Sequence, residues 1–124
     1  MAAARRWIAG ASARAAAGHA LDLVIDQDGV CVGEVGVAHL DRRRRAALMG
    51  WWVAAGHRGQ GLATTAVRTL ADWLLGPGGL TAVVAEIDHG NHPSQRTALH
   101  AGFVTLRSGG ADHPTVLVRR QENN

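Results

Sequence analysis

The sequence predicts a single domain of mixed α/β class (α+β mixed) spanning residues 1–124, an antiparallel meander followed by β-α-β-α-β-β around a mixed central sheet. Three features carry that expectation. Apolar and polar residues alternate over residues 21–26 and lead into Asp28-Gly29, a hairpin turn signal. An uncharged run over residues 46–54, too short for a typical helix, stops at a glycine-rich turn, after which apolar positions recur at helical spacing. A β-rich run over residues 81–87 lies beyond that helix, so a parallel neighbour reached by a right-handed crossover is the natural arrangement.

Residues 2–17 are dominated by Ala and Arg, both strong helix formers, with Gly18 as C-cap and Trp7, Ile8 and Ala11 as candidates for a buried stripe. Residues 20–54 read as three antiparallel strands. In the first, Leu21, Leu23 and Ile25 alternate with Asp22, Val24 and Asp26. In the second, Val30, Val32, Val35 and Val37 recur around Gly33 and Gly36, glycines that mark a bulge or a close backbone approach. Residues 39–45 are expected to be a loop, and the strand over residues 46–54 is expected to be buried on both faces.

The helix that follows should bury Leu62, Ala66, Val67, Leu70, Trp73 and Leu74 and end at Gly76-Pro77-Gly78-Gly79. After the next strand, Asn91 is a good N-cap and Pro93 suits a first helical turn, so a short helix runs to Ala101 and stops at Gly102. Strands over residues 103–106 and 115–119 close the domain, separated by the turn-rich segment 108–114, and residues 121–124 form a tail.

Composition excludes several classes of protein. Hydrophobic content of 47% with four Trp, one Phe and no Tyr gives a core of Val, Leu, Ala and Trp and argues against disorder. All 13 basic residues are Arg, and the net charge of +3 favours an anionic ligand or an acidic partner without the clustered basic face of a dedicated nucleic-acid binder. The run over residues 42–45 reads most simply as a solvated loop. A single cysteine, Cys31, excludes an intrachain disulfide and multi-cysteine metal sites, and its apolar neighbours suggest a buried, inert thiol. No run of 18 apolar residues and no secretory hydrophobic core is present, so no membrane association is expected and the cytoplasm is the expected compartment.

The glycine-rich turn Gly56-His57-Arg58-Gly59-Gln60-Gly61-Leu62-Ala63 has a physical use. A helix begins with about four N–H groups that lack intrahelical partners, and the peptide dipoles add partial positive charge there. Such an end holds a phosphate. Gly59 and Gly61 remove Cβ atoms that would block approach, and Arg58 adds a fixed charge. A ligand-free glycine turn is the competing reading of the loop alone. The Walker pattern and the dinucleotide fingerprint are both absent.

Arg58, Gly61 and Ala63 form an R-x-x-G-x-A pattern that resembles the acyl-CoA pyrophosphate loop of the GNAT superfamily of N-acetyltransferases. A second pattern, Asn91-x-x-Ser94-x-Arg96 with Gly102-Phe103 closing it, resembles the motif that follows the diverging strand of those enzymes. Gly50-Trp51-Trp52, Ala63-Thr64 and Asn-x-x-Ser are similar to the RimJ/RimL-like branch, named for enzymes that acetylate ribosomal-protein N-termini. The resemblance covers residues 20–120 and implies the GNAT-like acyl-CoA N-acyltransferase fold. In that family a further strand and helix precede the N-terminal helix, so a shortened fold or a fragment is expected, with an exposed sheet edge that invites a homodimer.

The resemblance further implies transfer of acetyl from acetyl-CoA, as cosubstrate and without a metal, to a primary amine of a protein N-terminus or a small molecule, by direct attack in a ternary complex. Such chemistry needs a neutral amine, donors for the developing oxyanion and a proton for the departing thiolate. Trp52 and Val53 would offer backbone groups to the pantetheine arm, one N–H near Val53 would polarise the thioester, and Arg58, Gly59, Gln60, Gly61, Leu62, Ala63 and Thr64 would hold the pyrophosphate. Asn91 would bond the pantetheine, serve as N-cap, or both.

The Tyr that many relatives use as acid is replaced by Ala98, and the Glu often found before the strand glycine by Leu48. Ser94 inherits the acid role in this branch, against a reading as a first-turn hydroxyl bonded to its helix. His113 and Glu34 are candidates for the base, each also readable as merely solvent-exposed. His57, His89 and His92 lack the spacing of a metal site. A CoA-binding module without turnover, or a truncated fragment, is the alternative reading.

Overall fold

The structure is a computed structural model that describes residues 21–122. The helix expected over residues 2–17, with its stripe and its Gly18 cap, lies outside the described residues. The chain runs β1 (Leu21–Gln27), β2 (Val30–Asp41), β3 (Ala46–Val53), a 3₁₀ turn (Ala55–His57), α1 (Leu62–Leu75), β4 (Ala82–Ile87), α2 (His92–His100), β5 (Val104–Arg107) and β6 (Thr115–Arg120). The strands form one mixed sheet in the order β1-β2-β3-β4-β6-β5. Only β3 and β4 are parallel, and α1 supplies the crossover between them.

The meander forms for local reasons. Asp28 and Gly29 both take positive φ, 54° and 84°, the pair of left-handed residues that a two-residue hairpin turn matched to strand twist requires. Gly33 and Gly36 answer to close approach: a Cβ on Gly33 would lie 2.3 Å from the Trp52 carbonyl oxygen, and one on Gly36 2.4 Å from that of Leu21. The bulges fall beside them, where register shifts between Ile25 and Asp26 and between Val37 and His39.

Four expectations are corrected. The loop placed at residues 39–45 is shorter, because β2 pairs through Asp41 with Ala46 and only residues 42–45 turn. Strand β3 is buried on one face only: Ala47, Met49 and Val53 face the helices, while Gly50 and Trp52 are exposed on the other side. Cys31 is exposed, because the shift at Ile25/Asp26 breaks alternation and turns Val32 inward while Val30 and Cys31 face out. Trp73 is 53% exposed. It sits about 100° around the helix from the centre of the buried stripe at 100° per residue, and Ala71 and Leu75 are buried instead.

The core lies between the helix-facing side of the sheet and the two helices. Val67, Val83 and Leu117 are fully buried there, and Trp51 meets Phe103 at 6.4 Å between ring centroids, within the range of tilted aromatic pairs. Arg119 of β6 fastens both helices to the sheet by donating to the Asp72 carboxylate of α1 and to the Ala101 carbonyl after α2. Arg45 turns back to donate to the Gly79 carbonyl, tying the otherwise solvated arginine loop to the turn after α1.

Candidate functional site

The parallel ladder between β3 and β4 pairs Ala46 with Ala82 and ends at Met49 with Ala85. Both strands continue, β3 to Val53 and β4 to Ile87, so over residues 50–53 the side of β3 that faces β4 carries backbone groups without a strand partner among the described residues. An opening of this kind accepts an extended amide-bearing chain as a strand edge accepts a peptide.

The chain then enters the glycine turn. Gly59 and Gly61 take φ of 79° and 76°, and a Cβ built on either would meet nothing within 4 Å. They are required for backbone conformation and they leave the approach open. Gly61 caps α1 without any side-chain acceptor, and the first backbone bond of the helix runs from Thr65 N–H to the Gly61 carbonyl. The N–H groups of Leu62, Ala63 and Thr64 are therefore left over at a positive dipole end.

Two contacts brace this turn. Arg58 Nε donates to the Val53 carbonyl at 3.0 Å, so one acceptor at the end of β3 is already engaged. His57 Nδ1 lies 2.9 Å from Gln27 Oε1, and Gln27 Nε2 donates to Gln60 Oε1 at 3.1 Å, which ties the turn to the β1–β2 hairpin.

The strand opening, the turn and α2 surround one cleft of about 570 Å³. Trp52, Val53, Arg58, Gly59, Gly61, Leu62, Ala63 and Thr64 line it from one side and Asn91, Ser94, Arg96 and His100 from the other. Among the described residues no Asp or Glu lines it. Gln60 is not among its lining residues, its side chain being held by Gln27. Asn91 is the N-cap of α2, its Oδ1 accepting from the Ser94 N–H at 3.3 Å. Ser94 Oγ has no hydrogen-bond partner among the described residues and faces the same cleft.

The other two candidates stand elsewhere. Glu34 accepts from the indole N–H of Trp52 at 3.2 Å on the sheet face away from the helices. His113 lines a second cleft of about 500 Å³ with Asp88, His89 and Asp112, formed where the segment after β4 meets the turn before β6. Among the described residues no three His, Cys, Asp or Glu side chains are grouped to hold a metal, and no helix is long and apolar enough to cross a membrane.

A family model described as an acetyltransferase (GNAT) domain matches residues 1–104. The chain belongs to the GNAT acetyltransferase family. Among solved structures, this GNAT chain is similar to RimJ of Mycobacterium smegmatis in complex with CoA-disulfide, at 28% identity and a TM-score of 0.76 over 90% of this chain. It spans 58% of the length of that RimJ. An acetyltransferase of Agrobacterium tumefaciens matches at 26% identity and a TM-score of 0.71, over 89% of this chain and 66% of that one. The ribosomal-protein-S5-alanine acetyltransferase of Vibrio fischeri, at 18% identity and a TM-score of 0.79 over 96% of this chain and 70% of that one, shares the fold. No curated protein matches.

The GNAT cleft fits a coenzyme A ester on its own geometry: unpartnered N–H groups at a helix start, open space over two glycines, and a lining that is cationic without an acid. The sequence reading missed Gln27, the brace of the turn, and gave no role to Arg96 or His100. The spacing of the last two, four apart on a short helix, was visible; Gln27, thirty residues before His57, left no local signal.

Proposed function

We propose that the chain transfers an acetyl group from acetyl-CoA to a primary amine by direct attack in a ternary complex. The observation that carries this reading is the release of the β3–β4 ladder after Met49 into the same cleft as the Gly59/Gly61 turn. The opening suits the amides of a pantetheine arm, and the turn suits a pyrophosphate. Acetyl-CoA brings the activated thioester. The amine nitrogen bonds to the acetyl carbon, the carbon–sulfur bond breaks, and the thiolate needs a proton.

The chain's own groups then have defined tasks. Arg58, Gly59 and residues 61–64 hold the phosphates, Asn91 presents its Nδ2 amide to the arm, and a backbone N–H near Val53 stabilises negative charge on the carbonyl oxygen. Ser94 Oγ donates the proton. His113, or Glu34, takes one from the amine, and the carboxylates of Asp88 and Asp112 beside His113 favour an acceptor that arrives as a cation. A protein N-terminus, a cytoplasmic setting and pairing of two copies through a sheet edge are consistent with this reading.

One observation favours a CoA-binding module without turnover. Ala98, where many relatives keep an acid, is 0% exposed, so no solvent gap stands in for the missing hydroxyl. Calorimetry with acetyl-CoA, beside thiol release with a panel of amines, separates the two. The assay uses a Cys31→Ser background, so that the exposed thiol of Cys31 adds no signal to the thiol reagent. Amine-dependent release that falls about 100-fold in Ser94→Ala, with the KM for acetyl-CoA unchanged, is the expected result for a proton donor. Tight binding with no release for any amine favours the module, and no binding overturns both.

A further inference from the structure

Arg96 and His100 stand four residues apart on α2, which puts their Cβ atoms about 5–6 Å apart on one face, and both line the cleft. Among the described residues neither side chain has a hydrogen bond or an ion pair; the ion pairs found there are Arg44–Asp41 and Arg119–Asp72. Two unpaired donors, one a fixed cation, thus face a cleft that no carboxylate of the described residues lines.

Their place along the cleft identifies what they would meet. Helix α2 starts at the strand opening, where Asn91 stands, and nine residues at 1.5 Å each carry it about 13 Å away. At the far end Arg68 of α1 donates to the His100 carbonyl, which fastens the end of α2 beside the second turn of α1. His100 therefore lies alongside α1 at the end of the cleft away from the strand opening, with Arg96 one helical turn nearer that opening. A ligand with its pantetheine arm in the opening and its pyrophosphate over residues 59–64 has its adenosine there.

Resting on that reading of the cleft, we propose that Arg96 and His100 form a binding station for the 3′-phosphate of coenzyme A and give the chain its preference for CoA over 3′-dephospho ligands. A phosphomonoester offers three acceptor oxygens a ribose away from the pyrophosphate. The guanidinium fork of Arg96 engages two of them, and the imidazole of His100 donates an N–H in either protonation state.

The test pairs a change in the protein with a change in the ligand. CoA and 3′-dephospho-CoA are titrated by calorimetry into the wild-type chain, Arg96→Gln, His100→Gln and the double variant; both residues are exposed, and thermal unfolding checks that each variant remains folded. The wild type is expected to bind CoA at least about tenfold more tightly, the equivalent of about 1.4 kcal/mol. The double variant binds both ligands equally, at the wild-type affinity for dephospho-CoA. Equal wild-type affinities, or full discrimination kept by the double variant, overturn the station while leaving the pyrophosphate cleft intact. Binding of neither ligand to the wild type overturns the cleft reading and the station together.

Discussion

Arg58 Nε donates to the carbonyl of Val53 at 3.0 Å, joining the charged residue of the glycine turn to the end of the strand that opens the cleft. The guanidinium is aimed by the strand and cannot swing away without breaking that bond. Arg58→Ala removes both the aim and the charge. A charge-assisted bond is worth about 1.5–3 kcal/mol, so CoA affinity should fall roughly 10- to 100-fold in calorimetry, and Arg58→Lys, which keeps charge but loses the fork, should recover part of it.

Gly61 carries φ of 76° at the cap of α1. A β-branched residue resists that conformation at a cost of about 1–3 kcal/mol, and it would project a side chain into the space over the helix start. Gly61→Val should lower stability by that amount in urea unfolding and weaken CoA binding about tenfold or more. Binding unchanged in a folded Gly61→Val variant would show that the ligand does not approach this cap.

Leu117 on β6 is 1% exposed at the centre of the core. Leu117→Ala deletes buried volume that the surrounding sheet and helices fill only in part, at about 2–5 kcal/mol. Urea unfolding should show the loss, and the folded fraction should keep wild-type CoA affinity, because Leu117 does not line the cleft.

Cys31 is exposed near the β1–β2 hairpin, its thiol 3.5 Å from the Gly33 carbonyl. One equivalent of a thiol reagent should label the native protein without denaturant, and labelling should not depend on CoA. Labelling that appears only on unfolding would restore the buried placement that local pattern suggests.

That thiol illustrates what the sequence could and could not convey. Alternation, the Asp28-Gly29 turn, the glycine breaker before Leu80 and the Asn91 cap were readable because each is a local preference acting over a few residues. Cys31 was misplaced because the shift that pairs Ile25 with Gly33 but Asp26 with Cys31 leaves no mark in the alternation of residue types, and Trp73 because the face α1 turns to the sheet is set by strands elsewhere in the chain. The same division runs through the site. The glycine turn into α1 was legible in Gly59 and Gly61, whereas the brace from Gln27 and the separate cleft around His113 depend on how distant segments meet.

The unzipping of β3 from β4 after Met49 has a bearing on how freely this protein can vary. What residues 50–53 offer a ligand is main chain, and main-chain donors and acceptors are the same whichever side chain stands above them. Replacing Trp51 or Trp52 by other strand-compatible residues would therefore alter packing and shape at the opening while the pattern of main-chain donors and acceptors there persists. If the proposed function holds, recognition written in the backbone would tolerate drift in the side chains, and the walls of the cleft could change with the acceptor while its hold on the acyl carrier stayed the same.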